Sequence, residues 1–255
     1  MSAVVFITGT DTGVGKTLLT ALLLCHLRQA GRCALAMKPF ATGNRADATL
    51  LDRVQDHALP LAQLNPFFFP LPVAPLVAAR KAGRTVSCQT VAGRIRRTAS
   101  RGEILLVEGC GGLLTPLGPR FTLLDLMRSV PSTVIVAAPN RVGVLNHVML
   151  TKQALLTAGV SPRAIVLMGT AAPDVSCHTN ELVLRELLPA CRVLSIPYLG
   201  AQAARLRAVR KNVPLLNRQL RLLAGSLTCP ERSSKVRAHG DKTGSHHRVL
   251  RGLKL

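Results

Sequence analysis

Tryptophan is absent from the 255 residues, tyrosine occurs once and phenylalanine six times. So few rings cannot interleave with basic residues as a stacking platform for single-stranded nucleic acid, and the core has to be built from aliphatic side chains. Acidic residues are scarce as well, 12 against 33 Lys and Arg, so only a few carboxylates are available for catalysis or metal binding. No segment approaches the roughly 18 uncharged apolar residues that a membrane span requires. The seven cysteines, at 25, 33, 88, 110, 177, 191 and 229, form no CxxC pair and no Cys/His cluster at zinc spacing. Reduced thiols are therefore expected. The chain runs from Met-Ser straight into a strand-like segment, without the basic and apolar regions of a signal peptide, so a cytoplasmic location is expected.

Positive charge is what the sequence has in excess, with a formal net charge of +21. Residues 225–255 hold 7 Lys/Arg and 2 Asp/Glu, which leaves 26 and 10 in the first 224, so the basicity is not confined to a tail. The arginines are dispersed and form no arginine-rich helix. No dedicated nucleic-acid partner is expected, and solvated basic faces are the plainer reading.

Near-continuous apolar runs at 3–8, 33–37, 103–107, 133–138, 164–168 and 192–196 predict strands covered on both faces. Helical patterns fall near 15–30, 46–57, 87–100, 121–129, 144–158, 178–188 and 212–223. This alternation predicts an α/β fold, a doubly wound, mainly parallel sheet with helices on both faces. One domain over 1–224 and a basic, disordered tail over 225–255 are expected. Residues 65–75, NPFFFPLPVAP, hold four prolines and read as a surface loop packing its Phe cluster, not as helix or central strand.

The stretch GTDTGVGKT (9–17) follows a predicted strand and opens a predicted helix, which makes it a phosphate loop and the sheet one of the P-loop NTPase type. Glycines let backbone N–H groups curl around phosphate oxygens, the helix start adds partial positive charge, Lys16 reaches the β/γ oxygens and the Thr17 hydroxyl suits Mg²⁺. Gly9 and Gly15 have five residues between them, one more than the common pattern, so the loop is a variant.

Such a loop needs an acid for its metal, and Glu108 stands at the end of a strand before Gly109-Cys110-Gly111-Gly112, at the carboxyl edge of the sheet. Asp47 heads a helix soon after the second strand; by position it is either a second metal carboxylate or a charge at a helix N-terminus. Lys38 ends the second strand in MKPFATG. It is either a surface lysine at a strand exit or a second cation for a transferring phosphoryl group.

Taken together, GTDTGVGKT (9–17), KPFATG (38–43), NPFFFPLPVAP (65–75), VEGCGGLLTPL (107–117), RVGVLNHVMLT (141–151) and IPYLG (196–200) resemble the dethiobiotin synthetase family, in the family's order over roughly residues 3–220. The resemblance implies a homodimeric P-loop enzyme whose substrate site is completed across the interface. It implies a carboxylation of 7,8-diaminononanoate with CO₂ and ring closure, with ATP as co-substrate and Mg²⁺ as cofactor. It makes Lys38 and Lys16 catalytic and Thr17, Asp47 and Glu108 the metal ligands. Nucleotide contacts would come from Gly13, Val14, Gly15, Lys16, Thr17, Leu18, Asp47, Glu108, Gly109, Cys110, Gly111, Pro197, Tyr198 and Leu199. Thr12, Thr42, Gly112 and Leu113 would line the substrate pocket, and Asn146 would reach the substrate's carboxylate from the partner subunit. Asn146 also fits a polar residue at a helix N-terminus.

Three positions depart from the family. Cys110 stands where Ala is common, Leu76 follows Pro75 where His is frequent, and Gly169-Thr170 replaces an Asn-containing motif that reads adenine. A side-chain amide for the base edge is therefore missing. The competing readings are another ligase or carboxylase on this fold, a nucleotide-binding homologue without turnover, and a partition-type ATPase. The last places a signature lysine near the start of the loop, where this chain has Asp11.

Overall fold

The computed structural model describes residues 2–227. In chain order the elements are β1 (Ala3–Gly9), α1 (Lys16–Gln29), β2 (Ala34–Met37), β3 (Phe40–Thr42), α2 (Ala46–Val54), α3 (Leu61–Leu64), β4 (Phe67–Phe69), α4 (Pro75–Lys81), α5 (Cys88–Ala99) and β5 (Ile104–Glu108). They continue as β6 (Pro116–Gly118), β7 (Phe121–Thr122), α6 (Leu123–Arg128), β8 (Thr133–Pro139), α7 (Val144–Thr157), β9 (Pro162–Met168), a 3-10 turn at Val175–His178, α8 (Asn180–Leu187), β10 (Arg192–Ile196), α9 (Leu206–Leu215) and α10 (Asn217–Gly225).

Six strands form one parallel sheet in the order β10-β9-β8-β1-β5-β2, with helices on both faces. Each of the six predicted strands is in it, because each apolar run is buried from both sides: every residue of β2 and β5 is buried. Val5, Phe6 and Ile7 of β1, at the middle of the sheet, have no exposed surface, and neither have Leu22, Leu23 and Leu24 of α1. β1 lies between β5 and β8, so the chain leaves it in one direction for β2 and β5 and later returns on its other side. That switch point puts the carboxyl ends of β1, β2 and β5 side by side, the place where such sheets hold ligands.

Some expectations change. The 65–75 stretch is not wholly loop: Phe67–Phe69 pairs in parallel with Phe40–Thr42 as a small separate sheet, and Pro75 opens α4 as its first residue. Phe67 and Phe69 are buried and Phe67 stacks on Phe40 at 5.1 Å, so the Phe cluster does pack. The helix expected over 212–223 is two helices that part at Leu216, two residues after Pro214. Pro214 has no N–H to give the preceding turn, and a helix interior does not continue freely past it. Helix α6 starts later than expected because Thr122 caps it. Its hydroxyl accepts from the Asp125 amide while the Asp125 carboxylate accepts from the Thr122 amide at 2.8 Å, a reciprocal box. The expected tail boundary also moves: Gly225 closes α10 and Ser226 and Leu227 are buried. The rest of that expected tail, 228–255, lies outside the described residues.

Candidate active site

The phosphate loop hangs between β1 and α1 on glycines that need no side chain. Gly13 and Gly15 have φ of 74° and 91°, conformations that L side chains rarely adopt. A methyl group on Gly15 would press on Met168 at the end of β9, about as close as 3.1 Å, so the loop is seated against the neighbouring strands. Lys16 is buried at the first position of α1, and its Nζ donates to the Asp11 carbonyl at 2.7 Å across the loop. Burial lowers the Lys16 pKa below the ordinary lysine value, and the nearby Lys38 charge lowers it further.

Glu108 ends β5 with its side chain fully buried. Its Oε1 accepts from the Thr17 hydroxyl at 2.6 Å and from Lys38 Nζ at 2.5 Å, while its Oε2 is buried with no partner. Lys38 reaches the Asp47 carboxylate at 2.9 Å with the same ammonium. Burial works against the charge on Lys38, but Glu108 and then Asp47 outweigh it and hold the ammonium above its ordinary pKa. Residues 17, 38, 47 and 108, from four elements or strand exits, thus meet at one point. Asp47 lies in the first turn of α2, where its charge complements the helix start, and its carboxylate meets the Lys38 ammonium.

The turn after β5 closes over this point. Gly109 donates its amide to Ile7 of β1 at 2.9 Å, and Gly112 lies against the phosphate loop, about 3.4 Å from the Thr10 carbonyl for an added methyl. Leu113 is buried below it. Cys110 is partly buried, and burial raises its thiol pKa against the lowering influence of Lys38 and Lys16. Val14 is buried, Leu18 packs partly buried on the core, Thr12 is exposed, and Thr42 is half-buried at the end of β3. Pro197 and Tyr198 follow β10 as exposed residues, with Leu199 partly buried beside them. Asn146 does not join this group. It stands exposed in the first turn of α7, and its side chain makes no hydrogen bond or ion pair among the described residues, nor does it cap the helix, whose cap is Gly143.

The metal set fits its cation in kind. Thr17, Asp47 and Glu108 offer only hard oxygen donors, and Glu108 Oε2 is buried and unpartnered, which suits Mg²⁺. They form no closed cage: no cluster of three or more His, Cys, Asp or Glu that could hold a metal occurs among the described residues. Phosphate oxygens and water would have to complete the coordination of a bound Mg²⁺, as is usual for that ion.

Gly169 has a steric reason. Its amide bonds Ile196 at 2.8 Å, and a Cβ there would sit 2.3 Å from the Tyr198 amide nitrogen and 2.7 Å from the Pro197 carbonyl carbon. This backbone excludes any side chain at 169, an amide included. Beyond it, a polar network that sequence reasoning missed ties the 3-10 turn to α7. Asp174 accepts from the Val142 amide at 2.8 Å, and Asn180 donates to the Asn140 side chain at 2.9 Å. Its signal was an Asp two residues before a Ser and an Asn heading α8, both common at helix starts. No described helix is long and apolar enough to cross a membrane.

A family model described as an AAA domain matches residues 3–204. A protein of Anaeromyxobacter sp. (strain Fw109-5), named ATP-dependent dethiobiotin synthetase BioD, is 41% identical over 204 residues, 78% of this chain and 83% of its own length. A protein of the same name from Bacillus licheniformis (strain ATCC 14580) is 34% identical over 202 residues, 76% of this chain and 83% of its own. Among solved structures, a ParA family ATPase from Chlorobium tepidum TLS matches with a TM-score of 0.54 at 14% identity, over 84% of this chain and 92% of that one. At that identity the likeness shows the shared P-loop fold alone.

Proposed function

The chain belongs to the ATP-dependent dethiobiotin synthetase family, and from that premise we propose that it joins 7,8-diaminononanoate to CO₂ and closes the cyclic urea of dethiobiotin, in the biosynthesis of biotin. One vicinal amine adds to CO₂ and loses a proton to become a carbamate. A carbamate oxygen attacks the γ-phosphorus of ATP and the bond to the ADP oxygen breaks. The second amine attacks the carbonyl of the mixed anhydride, and its carbon–oxygen bond breaks to release phosphate.

The reading rests above all on Glu108 Oε1, which gathers Thr17 and Lys38 at one buried point beside the phosphate loop. An oxyanion attacking a phosphate meets like charge, so cations have to crowd the reacting centre. Lys16, released from the Asp11 carbonyl, can reach the β/γ oxygens. Lys38 can hold the carbamate or the transferring phosphoryl group, with Thr12, Thr42, Gly112 and Leu113 lining the diamine. Mg²⁺, held by Thr17, Asp47 and Glu108 when bound, would neutralise charge on the phosphates. Gly13 to Leu18, Gly109 to Gly111 and the 197–199 turn would hold the nucleotide. Assembly as a homodimer, in the cytoplasm, belongs to the same proposal. Exposed Met149 and Leu150 on α7, near the unpartnered Asn146, support a second copy on that face.

The test incubates purified protein with diaminononanoate, bicarbonate, Mg²⁺ and ATP, CTP or GTP in parallel. Cyclic urea formed together with phosphate is expected, and no product with any of the three overturns the proposal. The parallel assay also reads what a base pocket without the amide accepts.

A further inference from the structure

We propose that Asn65 is a positioning residue for Lys38: its side chain clamps the backbone on which the ammonium is mounted. The proposal rests on the catalytic reading of Lys38 given above. Strand β2 ends at Met37, and Pro39 has no N–H to continue the ladder, so Lys38 stands where regular pairing stops. Its own amide donates to the Leu64 carbonyl at 2.9 Å, and its carbonyl accepts from Asn65 Nδ2 at 2.7 Å. One residue on, the Phe67 amide donates to the Pro39 carbonyl at 3.0 Å, and the β3–β4 ladder begins. The side chain of Asn65 therefore stands in for a missing rung, and that rung is at the residue carrying the ammonium.

Asn65 is itself held. It is 1% exposed, its amide donates to Leu61 at 2.8 Å at the end of α3, and Pro66 keeps it out of the helical region, with φ of −129° and ψ of 74°. Its Oδ1 is buried without a partner. Shape alone would be filled as well by a leucine, without stranding a polar atom, so the side chain is retained for its N–H donor. Lys38 also has little freedom at its other end, where one Nζ must meet Glu108 at 2.5 Å and Asp47 at 2.9 Å together. A peptide turned at Lys38 moves that whole four-carbon stem, and small displacements of a charge donor are costly to a reaction.

Asn65→Asp keeps the shape and removes the donor. Turnover is expected to fall about tenfold or more while the KM for diaminononanoate and the Kd for MgADP stay within about twofold, since the phosphate loop is untouched. The same substitution in a Lys38→Met background, read as single-turnover phosphate release, is expected to cause no further loss, because a residue acting through Lys38 has nothing left to position. Turnover of Asn65→Asp within about twofold of the parent, or an equal further loss in the Lys38→Met background, overturns the proposal. Should Asn65→Asp not fold, Asn65→Leu, which fills the same shape and has no donor, is measured in the same two backgrounds with the same two criteria. A parent protein that forms no cyclic urea defeats the proposed function instead, and a Lys38→Met protein as fast as the parent defeats the catalytic reading of Lys38.

Discussion

Lys38 holds two carboxylates with one ammonium, and its removal separates two consequences. Lys38→Ala leaves Glu108 buried with only the Thr17 hydroxyl as partner, a loss of about 3–5 kcal/mol in stability for one member of a buried pair. Turnover is expected to drop about a hundredfold or more with nucleotide binding largely kept, as for loss of one preorganised charge donor. Calorimetric ADP binding beside steady-state phosphate release checks both; turnover near the parent's would take Lys38 out of the chemistry. Lys16 makes a prediction in pH. Its pKa in the free protein is lowered by burial and then by Lys38, so it loses its proton earlier than an ordinary lysine as pH rises. Nucleotide affinity should be full at neutral pH and fall on the alkaline side with a midpoint below the ordinary lysine range; a midpoint at or above that range would contradict it. The residues of this cluster were legible because each carries its chemistry in its own type and place, a Gly-Lys-Thr before a helix or a Glu before glycines. Asn65 was not, because it acts on the backbone of a residue 27 positions away. No pattern in NPFFF says which carbonyl its amide will find.

Among elements, the six sheet strands were readable from apolar runs because both faces of each are covered, so every residue reports burial. The small β3–β4 ladder was hidden by the prolines around it, which deny a central strand but allow three residues of pairing. The split between α9 and α10 was within reach: Pro214 marks it, but the Leu and Arg periodicity runs across both helices. The capping box of α6 can be measured on its own. Thr122→Ala should cost about 1 kcal/mol of stability, seen as a lower urea midpoint with unchanged slope. Gly169 tests the approach of β9 to the 197–199 turn. Gly169→Ala must displace the Tyr198 amide by more than a flexible side chain can absorb, so lower nucleotide affinity together with lower thermal stability is expected. A Gly169→Ala protein that equals the parent in both would show the turn to be free to move.

For the whole molecule, one proposed property is that each site draws on two copies of the chain. Lys38→Ala and Asn146→Ala proteins, each inactive by itself, would then complement when mixed. Half of the re-formed dimers pair one of each, and each of those holds one intact site, so about a quarter of parental activity is expected from random exchange. No recovery on mixing would place Asn146 in its own subunit's site or in none. The likeness to a ParA family ATPase, at 14% identity, is one of fold alone; at the loop's start of this chain Asp11 lends its carbonyl to Lys16.

The bridging ammonium has one consequence for handling the protein. Because Lys38 pairs with the buried Glu108 and also meets the half-exposed Asp47, folding is expected not to wait for a divalent ion. The chain should survive purification and storage in a chelator with its melting temperature unchanged, whereas Lys38→Met should melt earlier in EDTA and regain stability when Mg²⁺ is returned.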